Sequence, residues 1–123
     1  AMDTTERALQ ESLGKNITGL SVRDNVCTIT FPEHTLVITD ERQLCCENRY
    51  MVCDDNLAAF LGAELLDVTL ENAPSHKTDY EVHEVQFLHV KTTKGSFTIS
   101  NHNEHNGYYG EFHVVMRCSR EVK

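Results

Sequence analysis

The sequence predicts an α+β domain: an antiparallel β-rich sheet or half-open barrel with an N-terminal helix and one short internal helix. Three observations lead there. Apolar residues alternate with polar ones over most of the chain, which is the period of a half-buried strand. Turn residues interrupt that alternation at short intervals, as antiparallel hairpins require. Helical spacing is confined to two brief stretches.

In chain order, TTERALQESLGKN opens with Thr4 or Thr5 as the expected N-cap, spaces Ala8, Leu9 and Leu13 helically, and places Gly14 at the stop position. From Ile17 the pattern becomes strand-like through Val22. Asp24-Asn25 turns the chain into VCTITF, and Pro32-Glu33-His34 turns it again into TLVIT, an antiparallel meander. ERQLCCENRYMVCDD is β-compatible but irregular. NLAAFLGAE, with an acid ahead of it and Gly62 behind, predicts the internal helix. AELLDVTLEN is expected to bury Leu66, Val68 and Leu70 on one strand face. After the polar loop ENAPSHKTDYE, a hairpin about Lys94-Gly95 joins YEVHEVQFLHVKTT to SFTISNHN, and EFHVVMRCS supplies the last strand.

With 123 residues, 40% of them hydrophobic and 24% charged, residues 2–123 are expected to form a single domain around one core. Ala1 reads as a tag remnant. The net charge of −8, without any run of Lys or Arg, argues against binding to DNA, RNA or an anionic membrane. The odd count of five cysteines, and the lack of an apolar stretch behind a basic start, point to a reducing cytoplasm. The sequon at Asn16 is then a chance match.

Chemistry concentrates in SNHNEHNGYYGEF, Ser100 to Phe112. Asn101 and Asn103 carry paired donors and acceptors, and strand alternation places both on one side with His102 opposite. Tyr108 and Tyr109 offer flat faces for stacking, and the glycines let backbone approach a ligand. Arg49, in LCCENRYMVCDD, is a candidate anion anchor, or a salt-bridge partner of Glu47 or Asp54. Arg117 and Arg120 are further candidates for a local positive pocket. The ligand-binding residues expected are therefore Arg49, Asn101, Asn103, Tyr108 and Tyr109. A turn whose side chains satisfy their own backbone is the plain alternative.

Metal binding is not expected: Cys45 and Cys46 are adjacent, no C-x-x-C occurs, and the His102/His105 spacing is weak by itself. No nucleophile elbow, phosphate loop or paired-acid motif is present, and no cofactor is implied. His83 and His89 share a predicted strand face with Val85 and Phe87, where at least one reads as a satisfied histidine.

LCCENRYMVCDDNLAAFLGAELLD, Leu44 to Asp67, and EVHEVQFLHVKTTKGSFTISNHNEHNGYYGEF, Glu81 to Phe112, resemble a small uncharacterised domain family of bacteriophages and bacteria. That resemblance implies a phage setting inside a bacterial cell rather than a mechanism. The order of helix, meander and Asn/Tyr-rich C-terminal segment is also similar to the phage Thoeris anti-defence sponges of the first type. This implies a homo-oligomer that sequesters a cyclic ADP-ribose isomer or related cyclic nucleotide without cleaving it. No pocket residue is carried over from it. The expectation is a non-enzymatic module for a small nucleotide-derived ligand. The alternatives are a small nucleotide-processing enzyme using His102 and His105 as acid and base, and an inhibitor that binds a host factor.

Overall fold

A computed structural model of the protein describes residues 3–41, 47–78, 81–107 and 111–120. Helix α1 spans Thr4–Ser12, and its N-cap is Asp3, whose Oδ1 accepts from Glu6 N at 2.8 Å. The expected threonine caps are displaced because the carboxylate begins the helix one residue earlier. Thr5 Oγ1 instead accepts from Met116 N at 3.2 Å, tying the helix to the last strand.

Strands β1 (Gly19–Arg23), β2 (Val26–Thr30) and β3 (Thr35–Asp40) form the meander, and β9 (Val114–Ser119) pairs antiparallel with β3. The second sheet holds β4 (Glu47–Val52), β8 (Gly95–His105), β7 (Val82–Thr92) and β5 (Leu65–Asn72), in that order. The two-residue β6 (His76–Lys77) pairs with β7. Among the described residues all pairings are antiparallel and no barrel closes. The fold is thus α+β and β-rich, as its alternation and turns predict.

The inner faces of both sheets share one apolar cluster. Cys27, Ile29, Leu36, Ile38 and Met116 come from the first sheet; Met51, Leu65, Val68, Leu88, Val90, Phe97 and Ile99 come from the second. The sheets join where Met51 N donates to Asp24 O at 2.6 Å. At the Leu65 end, the residues following α1 bind β5 directly, through Gly14 N to Leu65 O at 2.7 Å and Leu65 N to Lys15 O at 3.1 Å.

The internal helix expected in NLAAFLGAE is present as one turn of 3-10 helix, Leu57–Phe60, kept short because Asn56 makes no side-chain cap and Gly62, at φ 87°, ends it at once. One local expectation is corrected. In β5, a register shift between Leu65 and Asp67 turns Leu66 outward. Leu65 and Val68 are buried, whereas Leu66 and Leu70 are 43% and 46% exposed. Leu70 still sits opposite the buried Leu88, so the core cover thins out toward the Asn72 end of this edge strand.

Candidate functional site

Along the inner face of β8 the side chains change character: Phe97 and Ile99 are followed by Asn101, Asn103 and His105, all five buried. Neighbouring strands change in step. Asn101 lies between Met51 and Gln86, and Asn103 between Arg49 and Glu84. His105 lies between Glu47 and Val82, and β3 ends on the buried Asp40. One end of the core is therefore polar, and buried polar groups must find partners there.

Most of them do. Arg49 Nη1 donates to both oxygens of Asp40, at 3.0 and 2.9 Å, and Arg49 Nη2 donates to Glu47 Oε2 at 2.7 Å. Burial pulls the Arg49 guanidinium down, but its hydrogen bonds to Asp40 and Glu47 outweigh that and hold it above its ordinary value. Asp40 also accepts from His113 N at 2.8 Å and from Asn101 Nδ2 at 3.2 Å. Asn103 Nδ2 donates to Glu47 Oε2 at 2.9 Å. Turning either amide over would set oxygen against carboxylate, so both Oδ1 atoms are fixed as acceptors. Neither Oδ1 has a partner, nor does Gln86 Oε1, whose Nε2 donates to Asn72 Oδ1 at 2.9 Å.

His105 Nδ1 accepts from Gly107 N at 3.0 Å, so its proton sits on Nε2, 2.6 Å from Glu84 Oε1. Beside Glu84 and Gln86 opens a cleft of about 410 Å³, also lined by Asn72, Ser75, Glu111 and Phe112. It lies at the Asn72 end of β5, away from the residues that follow α1.

Of the residues expected at a site, Arg49, Asn101 and Asn103 come together here. Tyr108 and Tyr109 lie outside the described residues, as do Cys45 and Cys46. The segment Ser100–His105 is strand rather than loop, and it buries its two asparagines on one side as alternation predicts. Arg49 pairs with Glu47 as one reading had it, and with Asp40 rather than Asp54. Arg117 and Arg120 pair with Glu41 and Glu11 at the surface, at 3.4 and 3.2 Å. Sequence reasoning missed Asp40, Glu84, Gln86, Glu111 and Phe112. The available signal was polar residues standing at core positions of otherwise apolar strands, in TLVITD and EVQFLHV.

Elsewhere, chemistry is restrained. His102 faces outward, opposite His105, and the two cannot meet as acid and base at one centre. Ser100 Oγ donates to Val52 O, so it accepts from His102 Nε2 at 2.9 Å; His102 Nδ1 then accepts from His83 Nε2 at 2.8 Å. Tyr50 stacks on His102 with centroids 4.7 Å apart, and a hydrogen bond to Glu104 pushes its hydroxyl up to about 12. His89 bonds Thr98 and Glu71, so both β7 histidines are satisfied. Ser12 Oγ donates to Ala8 O and therefore accepts from His34 Nε2 at 2.9 Å, which leaves it unactivated as a nucleophile. Burial pushes the Cys27 thiol up to about 12 and raises Cys53 and Cys118 as well. Among the described residues no group of three or more His, Cys, Asp or Glu is placed to hold a metal, and no helix is long and apolar enough to cross a membrane.

Residues 10–115, which include every buried residue of the polar end, match the model of the domain of unknown function DUF7448. The chain belongs to the DUF7448 family. No curated protein and no solved structure matches it. In this DUF7448 domain the match takes in all of β1 to β8 and ends within β9, so the polar end and the cleft walls lie inside the family's boundaries.

Proposed function

We propose that this DUF7448 domain is a non-enzymatic binding module that holds a small nucleotide-derived ligand by its base in the cleft beside Glu84 and Gln86. The observation that carries this reading is Gln86. Its side chain is buried, lines the cleft, and keeps an oxygen without a partner, while the aromatic residue Phe112 lines the same cleft. A planar heterocycle needs both an edge reader and a face. A binding role rather than turnover is favoured by the state of the reactive groups. The described thiols are raised, Ser12 is committed to a backbone carbonyl, and His102 and His105 lie on opposite faces.

The resemblance to phage Thoeris anti-defence sponges supports a setting in which such a module removes a cyclic nucleotide signal in a bacterial host, as a homo-oligomer. The test is to incubate the protein with a cyclic ADP-ribose isomer, remove free ligand, denature, and quantify what is released. Intact release supports sequestration. Conversion would make the protein an enzyme, and no uptake would favour a protein partner instead.

A further inference from the structure

We infer that the cleft selects its ligand by an exocyclic amino group, or an equivalent hydrogen-bond donor, and keeps phosphate outside. This rests on the binding reading above and names the chemistry it demands. Three buried oxygens lie in one patch of the inner face: Gln86 Oε1, with Asn101 Oδ1 directly across from it in register and Asn103 Oδ1 two residues further along. None has a donor. The carboxylates of Asp40 and Glu47 fix the orientation of the two asparagines, and Gln86, whose Nε2 donates to Asn72 Oδ1, is the member of the patch that lines the cleft.

Charge acts in the same direction. Among the described residues the cleft is lined by Glu84 and Glu111 and by no Lys or Arg. Arg49, in register with Glu84 across Asn103, is engaged by Asp40 at the end of β3 and by Glu47 on its own strand. An acceptor patch with acids at its rim attracts N–H donors and repels a phosphate, and an unmet buried acceptor penalises a ligand lacking the donor. The base enters and the anionic part faces solvent.

The experiment measures affinities of the purified full chain for three nucleoside pairs: adenosine and purine riboside, guanosine and inosine, cytidine and uridine. Each second member lacks the exocyclic amino group. Adenosine, guanosine and cytidine are also compared with their 5′-monophosphates. The expected result is that at least one amino-bearing nucleoside binds, at least tenfold tighter than its counterpart and tighter than its monophosphate. Gln86→Leu should erase most of the tenfold preference. Glu111→Lys, at an exposed position, should bring the monophosphate level with the nucleoside or above it. Equal binding within every pair, or tighter binding of the monophosphates to the unaltered protein, overturns the inference and leaves the module reading intact. The inference also falls if no nucleoside binds while the cyclic ADP-ribose isomer is taken up intact. No uptake of either kind of probe overturns both.

Discussion

Arg49 shows how much one buried residue commits a structure to. Its side chain is 1% exposed and its two partners' side chains are 0% exposed. Removing the cation would strip Asp40 and Glu47 of the buried counter-charge they share, so Arg49→Ala should lower unfolding free energy by about 3–5 kcal/mol in a urea titration. A loss under about 1 kcal/mol would mean that water reaches the pair. Asn103→Ala also withdraws a donor from Glu47 and should cost about 1–3 kcal/mol. Any loss of ligand binding in that variant must therefore be read together with its melting curve. The histidines set the pH response. His34 is held below its ordinary value by burial and by Arg120, and His102 by burial and by His83. The unfolded chain therefore binds more protons than the folded one. The stability tied to neutral imidazole is fully present above the unfolded value, about pH 6.5, and is lost as the pH falls through it toward the folded values. The melting temperature should drop between pH 7.5 and 5.5, and the double variant His34→Gln/His102→Gln should show a smaller drop across that interval.

Elements in this fold depend on a few backbone positions. β7 and β8 pair over their whole length, from Val82↔His105 to Thr92↔Gly95, and this ladder sets the depth of every inner-face residue on both strands. Its turn places Gly95 at φ 110°, a conformation an L side chain adopts only with strain. A Cβ there would meet nothing closer than Phe60 Cε1 at 3.9 Å, so the penalty is in the backbone. Gly95→Ala should destabilise by about 1–3 kcal/mol in a denaturant titration with little change in the far-ultraviolet spectrum. If stability is unchanged, the turn relaxes at no cost and the register is held by the strands alone.

Across the whole molecule, stability is expected to come from one apolar cluster with no metal or disulfide contributing. Cys27, Cys53 and Cys118 are free thiols. Chelator and reductant together should leave the melting temperature within about 1–2 °C, whereas a drop of about 10 °C would point to a structural metal. Self-association is proposed on a narrower basis than the apolar runs VQFLHV and FHVVM. In those runs Leu88, Val90 and Met116 are already buried in the chain's own core. Among the described residues, the exposed apolar residues on edge strands are Leu66 and Leu70 of β5 and Val52 at the end of β4, and the β5 pair is the larger surface. Light scattering should give a mass above the 14.0 kDa of one chain, reduced by Leu66→Asp/Leu70→Asp. A mass near 14.0 kDa for the unaltered protein would refute it.

The sequence by itself determined the strands, because a period of two and the turns at Asp24-Asn25, Pro32-Glu33-His34 and Lys94-Gly95 are local properties. It also determined that Asn101 and Asn103 share a side. Which side, and what they meet there, was decided only by tertiary structure. Asp40 lies sixty-one positions from Asn101 along the chain and hydrogen-bonds it because β3 and β8 belong to facing sheets. Gln86 and Glu84 reach the cleft through cross-strand register, which no spacing within EVHEVQFLHV reveals. The same holds for the β5 bulge that exposed Leu66. Strand period is written residue by residue, whereas burial is a property of the surface a strand happens to face.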